Sequence, residues 1–144
     1  MYTDAQARPS NNQSLAAVAG TYVSTDSIDL LSAADDPGRS GMPLRAYAVV
    51  TTAGAGGTSV QAQLISSASS NLSSPTVLAS GPVVALANLT AGAKLMDTPL
   101  PDSTQRFLGF QFVTLGTFTA LGVTAEIVGG TDRNSTVIPM NLGL

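Results

Sequence analysis

Apolar and polar residues alternate with a period of two along most of the 144-residue chain, and clusters of Gly, Pro, Asn and Asp interrupt the alternation. Successive side chains of a strand point to opposite faces, so the pattern predicts strands with one buried face. Residues 21–31 read as the first good strand. Residues 43–52 follow, with Leu44, Ala46, Ala48 and Val50 on one face and Arg45, Tyr47 and Val49 on the other. Residues 58–66 come next, with Val60, Ala62 and Leu64 alternating with Gln61 and Gln63. Residues 76–80 and 83–87 read as short strands divided by Gly81-Pro82, and 93–100 as another. The strongest pair is 106–115 and 118–128. Leu108, Phe110 and Phe112 share one face there, and Leu121, Val123, Ala125 and Ile127 another. Two connections have the look of hairpin turns: AGAGG at 53–57, where glycine supplies positive φ, and Gly116-Thr117. Helical periodicity is weak. A helical turn is expected at most near residues 4–8, and residues 14–20 read equally as a short strand or a helical turn.

About eight strands at short spacing predict an all-β fold, an antiparallel sandwich or barrel with extended N- and C-terminal arms. The stretch LISSASSNLSSPTVLAS, residues 64–80, tests whether this is one domain. Its composition is that of a flexible linker. Its flanks argue otherwise, because alternation runs up to it and resumes directly after Pro75. A boundary here would leave about half the chain on each side, too little for two good sandwiches. It therefore reads as one loop, with Leu72 folded back as a plug on the sheet edge and Ser73-Ser74-Pro75 turning the chain. Residues 1–130 are assigned to a single domain that includes the N-terminal arm, and 131–144 to a C-terminal extension. That extension carries the apolar residues Val137, Ile138, Met140, Leu142 and Leu144. It reads either as a frayed tail or as an arm that docks on a neighbouring subunit.

Composition narrows the chemistry. There is no Cys, no His and no Trp. Ser-His-Asp and Cys-His catalysis, and Cys-based zinc sites, are thereby ruled out. Asp35-Asp36 look like turn formers, and Asp26 and Asp29, three apart, face opposite sides of a regular strand. The glycines at 54, 56 and 57 lack the remaining features of a phosphate loop. The four phenylalanines sit at strand spacing and read as core. No enzyme and no cofactor is expected. Charged residues make up only 10% of the chain, against roughly 25% in ordinary soluble domains. The net charge of −3 argues against nucleic acid as a partner. Such a surface of Ser, Thr, Ala, Gly and Asn loses little entropy when covered, which suits a protein packed among neighbours. The opening MYTDAQARPSNNQ has no apolar core of a signal peptide, and no apolar run reaches the ~20 residues of a membrane span. A soluble protein assembled in the cytoplasm, with no membrane partner, is expected.

Several stretches taken in order resemble a known family. They are YTDAQARPSNNQ, VSTDSIDL, PLRAYAVV, VQAQLISSASSNLSSPTVLAS, LTAGAKL, PLPDSTQRFLGF and TALGVTAEIV, which together cover about residues 2–130. The chain is similar to the small jelly-roll cement, or decoration, proteins that coat the heads of tailed bacteriophages, in particular the cement proteins of Bordetella-type podophages. Two positions depart from that pattern: Pro9 stands in place of an aromatic or apolar residue, and Gly109 in place of a longer side chain. The resemblance implies a jelly roll on the outside of a virion. There it would bridge subunits of an HK97-type major capsid protein, pair as a homodimer and carry no catalytic residues. Because the scarce charges concentrate there, Tyr2, Asp4 and Arg8 of the N-terminal arm and Asp35, Asp36 and Arg39 of the following loop are the expected capsid contacts. Val137, Ile138, Met140 and Leu142 are the expected contacts to another subunit. The alternative reading is a carbohydrate- or receptor-binding β-sandwich on the virion. It is weaker for want of Trp and because Tyr22 and Tyr47 lie in predicted strands.

Overall fold

The structure, a computed structural model, describes residues 2–3, 8–30, 44–101 and 105–129. They form ten strands: β1 (Tyr2–Thr3), β2 (Ser10–Ser14), β3 (Gly20–Val23), β4 (Ile28–Asp29), β5 (Leu44–Ala55), β6 (Ser59–Ser67), β7 (Thr76–Ala85), β8 (Lys94–Pro99), β9 (Phe107–Leu115) and β10 (Ala120–Gly129). One 3-10 turn, Leu86–Asn88, joins β7 to β8. Apart from the two-residue β1 and β4, eight strands remain, the expected number but not strand for strand: β2 is not among those expected, and the strands expected at 76–80 and 83–87 are the single β7.

Their pairing is nested. β2 pairs with β10, β3 with β9, β5 with β8 and β6 with β7, all antiparallel. The chain is thus doubled on itself like one long hairpin. The doubled ribbon is then rolled, which brings β5 against β10 and β6 against β9. One sheet has the order β2-β10-β5-β8, with β1 beside β10; the other has β3-β9-β6-β7, with β4 beside β9. This is the jelly roll, whose two packed sheets bury one face each.

The predicted inner faces are the buried ones. Ala46, Ala48 and Val50 of β5, Val60, Ala62 and Leu64 of β6, Leu108, Phe110 and Phe112 of β9, and Leu121, Val123, Ala125 and Ile127 of β10 join one core. Phe110 and Phe112 are its largest fully buried side chains, and alanines from both sheets fill the narrower gaps. The open sides are also closed. On one side the Gln13 amide donates to the Val23 carbonyl (2.9 Å), and Asp26 N–H donates to the Pro9 carbonyl (2.9 Å). On the other, Gly81 of β7 lies so near the Leu95 carbonyl that a Cβ there would sit 2.5 Å from it.

Both expected hairpins are corrected. β5 and β6 belong to different sheets, and so do β9 and β10. The glycine segments between them are crossovers that pack on each other. Thr58 N–H donates to the Leu115 carbonyl and Thr119 N–H to the Ala55 carbonyl, each at 2.8 Å. A side chain at Gly57 would collide with the Phe118 ring, 2.2 Å away. Glycine serves these crossovers in two ways: Gly57 allows close approach, and Gly56 and Gly116 take the positive φ values of 88 and 76 that turn the chain. The predicted strand 21–31 is also interrupted. Ser24 Oγ accepts from Phe110 N–H and donates to the Asp26 carbonyl, so a side chain takes over the ladder between β3 and β4. Gly81-Pro82, in contrast, does not divide its segment. It forms a bulge within one long edge strand, β7, where proline needs no ladder donor. Residues 15–19 are neither strand nor helix but a bend whose Leu15 enters the core. The helical turn expected near 4–8 lies largely outside the described residues.

The serine-rich stretch is a loop between the paired strands β6 and β7. Its serines bond within it: Ser67 Oγ donates to the Ser73 carbonyl and accepts from Ser69 N–H, while Asn71 Oδ1 accepts from Ser73 N–H. Leu72, at φ 58, is only 2% exposed. It lies over Gly109, directly opposite the buried Ile65 in the neighbouring strand. The missing side chain at Gly109 is the space that Leu72 occupies.

Candidate functional site

The described charges are almost all consumed by the fold. Arg8 Nε donates to Glu126 of β10 at 2.8 Å, and the Glu126 side chain is largely buried. Arg45 of β5 and Lys94 of β8 both bind Asp97, whose cross-strand partner is Tyr47. Burial would raise the Asp97 carboxyl, but hydrogen bonds and charge from Arg45 and Lys94 hold it below its ordinary value. Lys94 also stands over the Tyr47 ring, 5.7 Å from its centre. Arg106 grips Asp29 through two bonds of 2.7 and 2.8 Å, and the same carboxylate raises the guanidinium pKa. Among the described residues only Asp26 stands outside an ion pair.

These pairs divide the molecule. Four of the nine acidic and four of the six basic residues lie in the described parts and cancel. The five acids and two bases that remain, the whole net charge of −3, belong to residues 4–7, 31–43, 102–104 and 130–144. The fold brings the roots of those segments to one end. Gly129 pairs with Tyr2 and with Leu44, Arg45 pairs with Pro99, and Leu30 N–H donates to the Arg106 carbonyl. We call this the arm end. At the far end the connections 15–19, 56–58, 86–93 and 116–119 hold no charged residue.

The expected contact residues distribute accordingly. Tyr2 lies in β1 at the arm end, paired with Gly129, and Arg8 is held by Glu126 of β10. Asp4, Asp35, Asp36, Arg39 and the tail residues Val137, Ile138, Met140 and Leu142 lie outside the described residues. Their segments nevertheless leave the sandwich from the same end. Alternation could not show this, because convergence depends on which strands pair. The ion-pair partners were equally hidden: Arg8 and Glu126 are 118 positions apart. Tyr22 and Tyr47 are both engaged, the first by donating its hydroxyl to the Val18 carbonyl. Among the described residues no three acidic, His or Cys side chains gather as metal ligands would.

A family model named Bbp16 matches residues 10–127. The chain belongs to the Bbp16 family. The match starts on the first residue of β2 and ends within β10, so the Bbp16 region is the eight-stranded jelly roll itself. The name Bbp16 points to a Bordetella phage protein, in agreement with the phage origin that the resemblance implies. No curated protein matches the chain.

Proposed function

We propose that this chain is a structural virion protein. It binds the outer surface of a tailed-phage head and cements adjacent subunits of an HK97-type major capsid protein, pairing with a second copy of itself as it does so. The observation that carries this reading is the Bbp16 match across the whole jelly roll. The charge distribution supports it. A sandwich whose own charges cancel presents a rigid neutral body, while its net charge leaves on segments rooted at one end. Segments of that kind suit a contact spanning a subunit boundary, where Asp4, Asp35, Asp36 and Arg39 would meet the shell beside Tyr2 and the ion-paired Arg8. A modest contact repeated over many copies suffices, because multivalency multiplies its effect. The extension with Val137, Ile138, Met140 and Leu142 would then dock on the neighbouring copy.

The decisive experiment is co-sedimentation of the purified chain with heads that lack it, followed by imaging of the decorated shell. Saturable binding to the outer surface is expected. A chain that stays in the supernatant at every ratio would overturn the reading. Removal of residues 137–144 tests the arm separately: loss of the dimer on heads is expected, and unchanged pairing refutes that assignment.

A further inference from the structure

At the far end, the outer face of the sheet β2-β10-β5 opens into a groove of about 280 Å³. Its floor is Gly122, and its walls include Asn12, Ser14, Ala16, Thr52 and Thr119. The concavity is built by local irregularity. A Cβ at position 122 would lie 2.7 Å from Asn12 Oδ1 and 2.8 Å from Thr52 Oγ1, so the groove exists because the side chain is missing. The β5 register shifts on both sides of Gly122, and the β2 register shifts between Val123 and Ala125. Bulges re-aim side chains. Asn12 itself has φ 50, a conformation that costs energy unless surroundings hold it. Thr51 Oγ donates to its Oδ1, and its N–H donates to Thr124 Oγ1. Departures from regular geometry concentrated at one surface position mark a place that does more than pack.

The lining selects a ligand class. The Ser14 and Thr52 hydroxyls and the Asn12 amide nitrogen provide donors, and the hydroxyl oxygens provide acceptors, that of Thr119 while donating its own proton to the Ala55 carbonyl. No charged residue lines the groove, and none lies in the connections around it. Ala16 adds an apolar wall. The volume falls just under the roughly 300–1,000 Å³ of pockets for drug-sized molecules, which suits a single ring. An extended peptide is disfavoured for a specific reason. β10, which forms the floor, is paired with β2 on one side and β5 on the other at Gly122 and Val123, and the outer edge of β2 is covered where the Gln13 amide donates to the Val23 carbonyl. We propose that this groove binds one uncharged sugar ring of a glycan, held by hydroxyl and amide contacts over the bare Gly122 backbone.

The site is independent of the capsid reading, since heads play no part in its test. The isotope-labelled full chain is titrated with glucose, galactose and N-acetylglucosamine, and backbone amide shifts are followed by NMR. Saturable shifts confined to residues 12–16, 52 and 119–122 are expected with at least one sugar, with a dissociation constant of about 1 mM. Thr52→Val keeps the shape but loses the hydroxyl, and should weaken binding roughly threefold to tenfold, the value of one neutral hydrogen bond. Ser14→Tyr, at an exposed position, should fill the groove and abolish the shifts. No saturable shift with any of the three sugars refutes the proposal, whatever the variants do. So do shifts that persist in Ser14→Tyr, or a Ser/Thr-rich peptide that gives the same shifts at lower concentration.

Discussion

Replacing Leu72 by alanine tests the central structural claim about the serine-rich loop. Leu72 is buried at φ 58, and its Cδ1 would stand 2.5 Å from a Cβ placed on Gly109. Removing a buried leucine costs about 2–5 kcal/mol. The site lies on the outer face of a sheet, where the loop can settle and water can enter, so the lower part of that range, about 2–3 kcal/mol, is expected. For a domain of this size that lowers Tm by roughly 4–10 °C. Gly109→Ala probes the same contact from beneath and should cost about 1–3 kcal/mol by overpacking. The two effects are not independent. Once Leu72 is truncated, the alanine methyl at 109 meets chiefly Ser24 Oγ, 3.0 Å away. A double-mutant cycle in urea should therefore show the Gly109→Ala cost falling by about 1 kcal/mol or more in the Leu72→Ala background. If Leu72→Ala costs under about 0.5 kcal/mol, or the two changes simply add, Leu72 does not fasten the loop and the reasoning fails.

Arg8→Gln should destabilise the fold by about 1–2 kcal/mol, measured as a shift in urea midpoint, because it leaves the largely buried Glu126 carboxylate without its cation. The same loss after Arg8→Lys would show that the guanidinium geometry, not charge alone, holds that strand. The depressed Asp97 carboxyl binds fewer protons folded than unfolded, so its contribution is complete above its ordinary value of 3.8 and is lost as pH falls through the lower folded value. Urea midpoints measured from pH 6 to pH 3 should thus fall less steeply for Asp97→Asn than for the parent, and parallel curves would contradict this. Arg39→Glu should reduce occupancy on heads, measured by co-sedimentation; unchanged occupancy removes it from the contact set.

Much of the core was legible from residue spacing alone. Val60, Ala62 and Leu64, or Phe110 and Phe112, are buried because every second residue of a strand faces inward, and that rule needs no knowledge of neighbours. The role of Leu72 was legible for the same reason: one apolar residue among serines has a strong cause to leave water. The strand partners were not legible. AGAGG and Gly116-Thr117 have the chemistry of hairpin turns, yet both are crossovers, because glycine serves close packing and tight turning equally well. The break after Val23 depends on Ser24 meeting Phe110, a residue far along the chain.

Residue spacing alone establishes that this protein is all-β, that the serine stretch is a loop between paired strands, and which side chains leave water. Composition alone establishes the scarcity of charge and the absence of His and Cys chemistry. Those are properties of local periodicity and composition. That the strands nest as a jelly roll, and that the ion pairs cancel within it, emerges only in three dimensions. The tertiary structure alone gathered the roots of the charged segments at one end and hollowed the other around Gly122. Each of these rests on contacts between residues distant in the chain, and local spacing says nothing about which distant strand lies alongside.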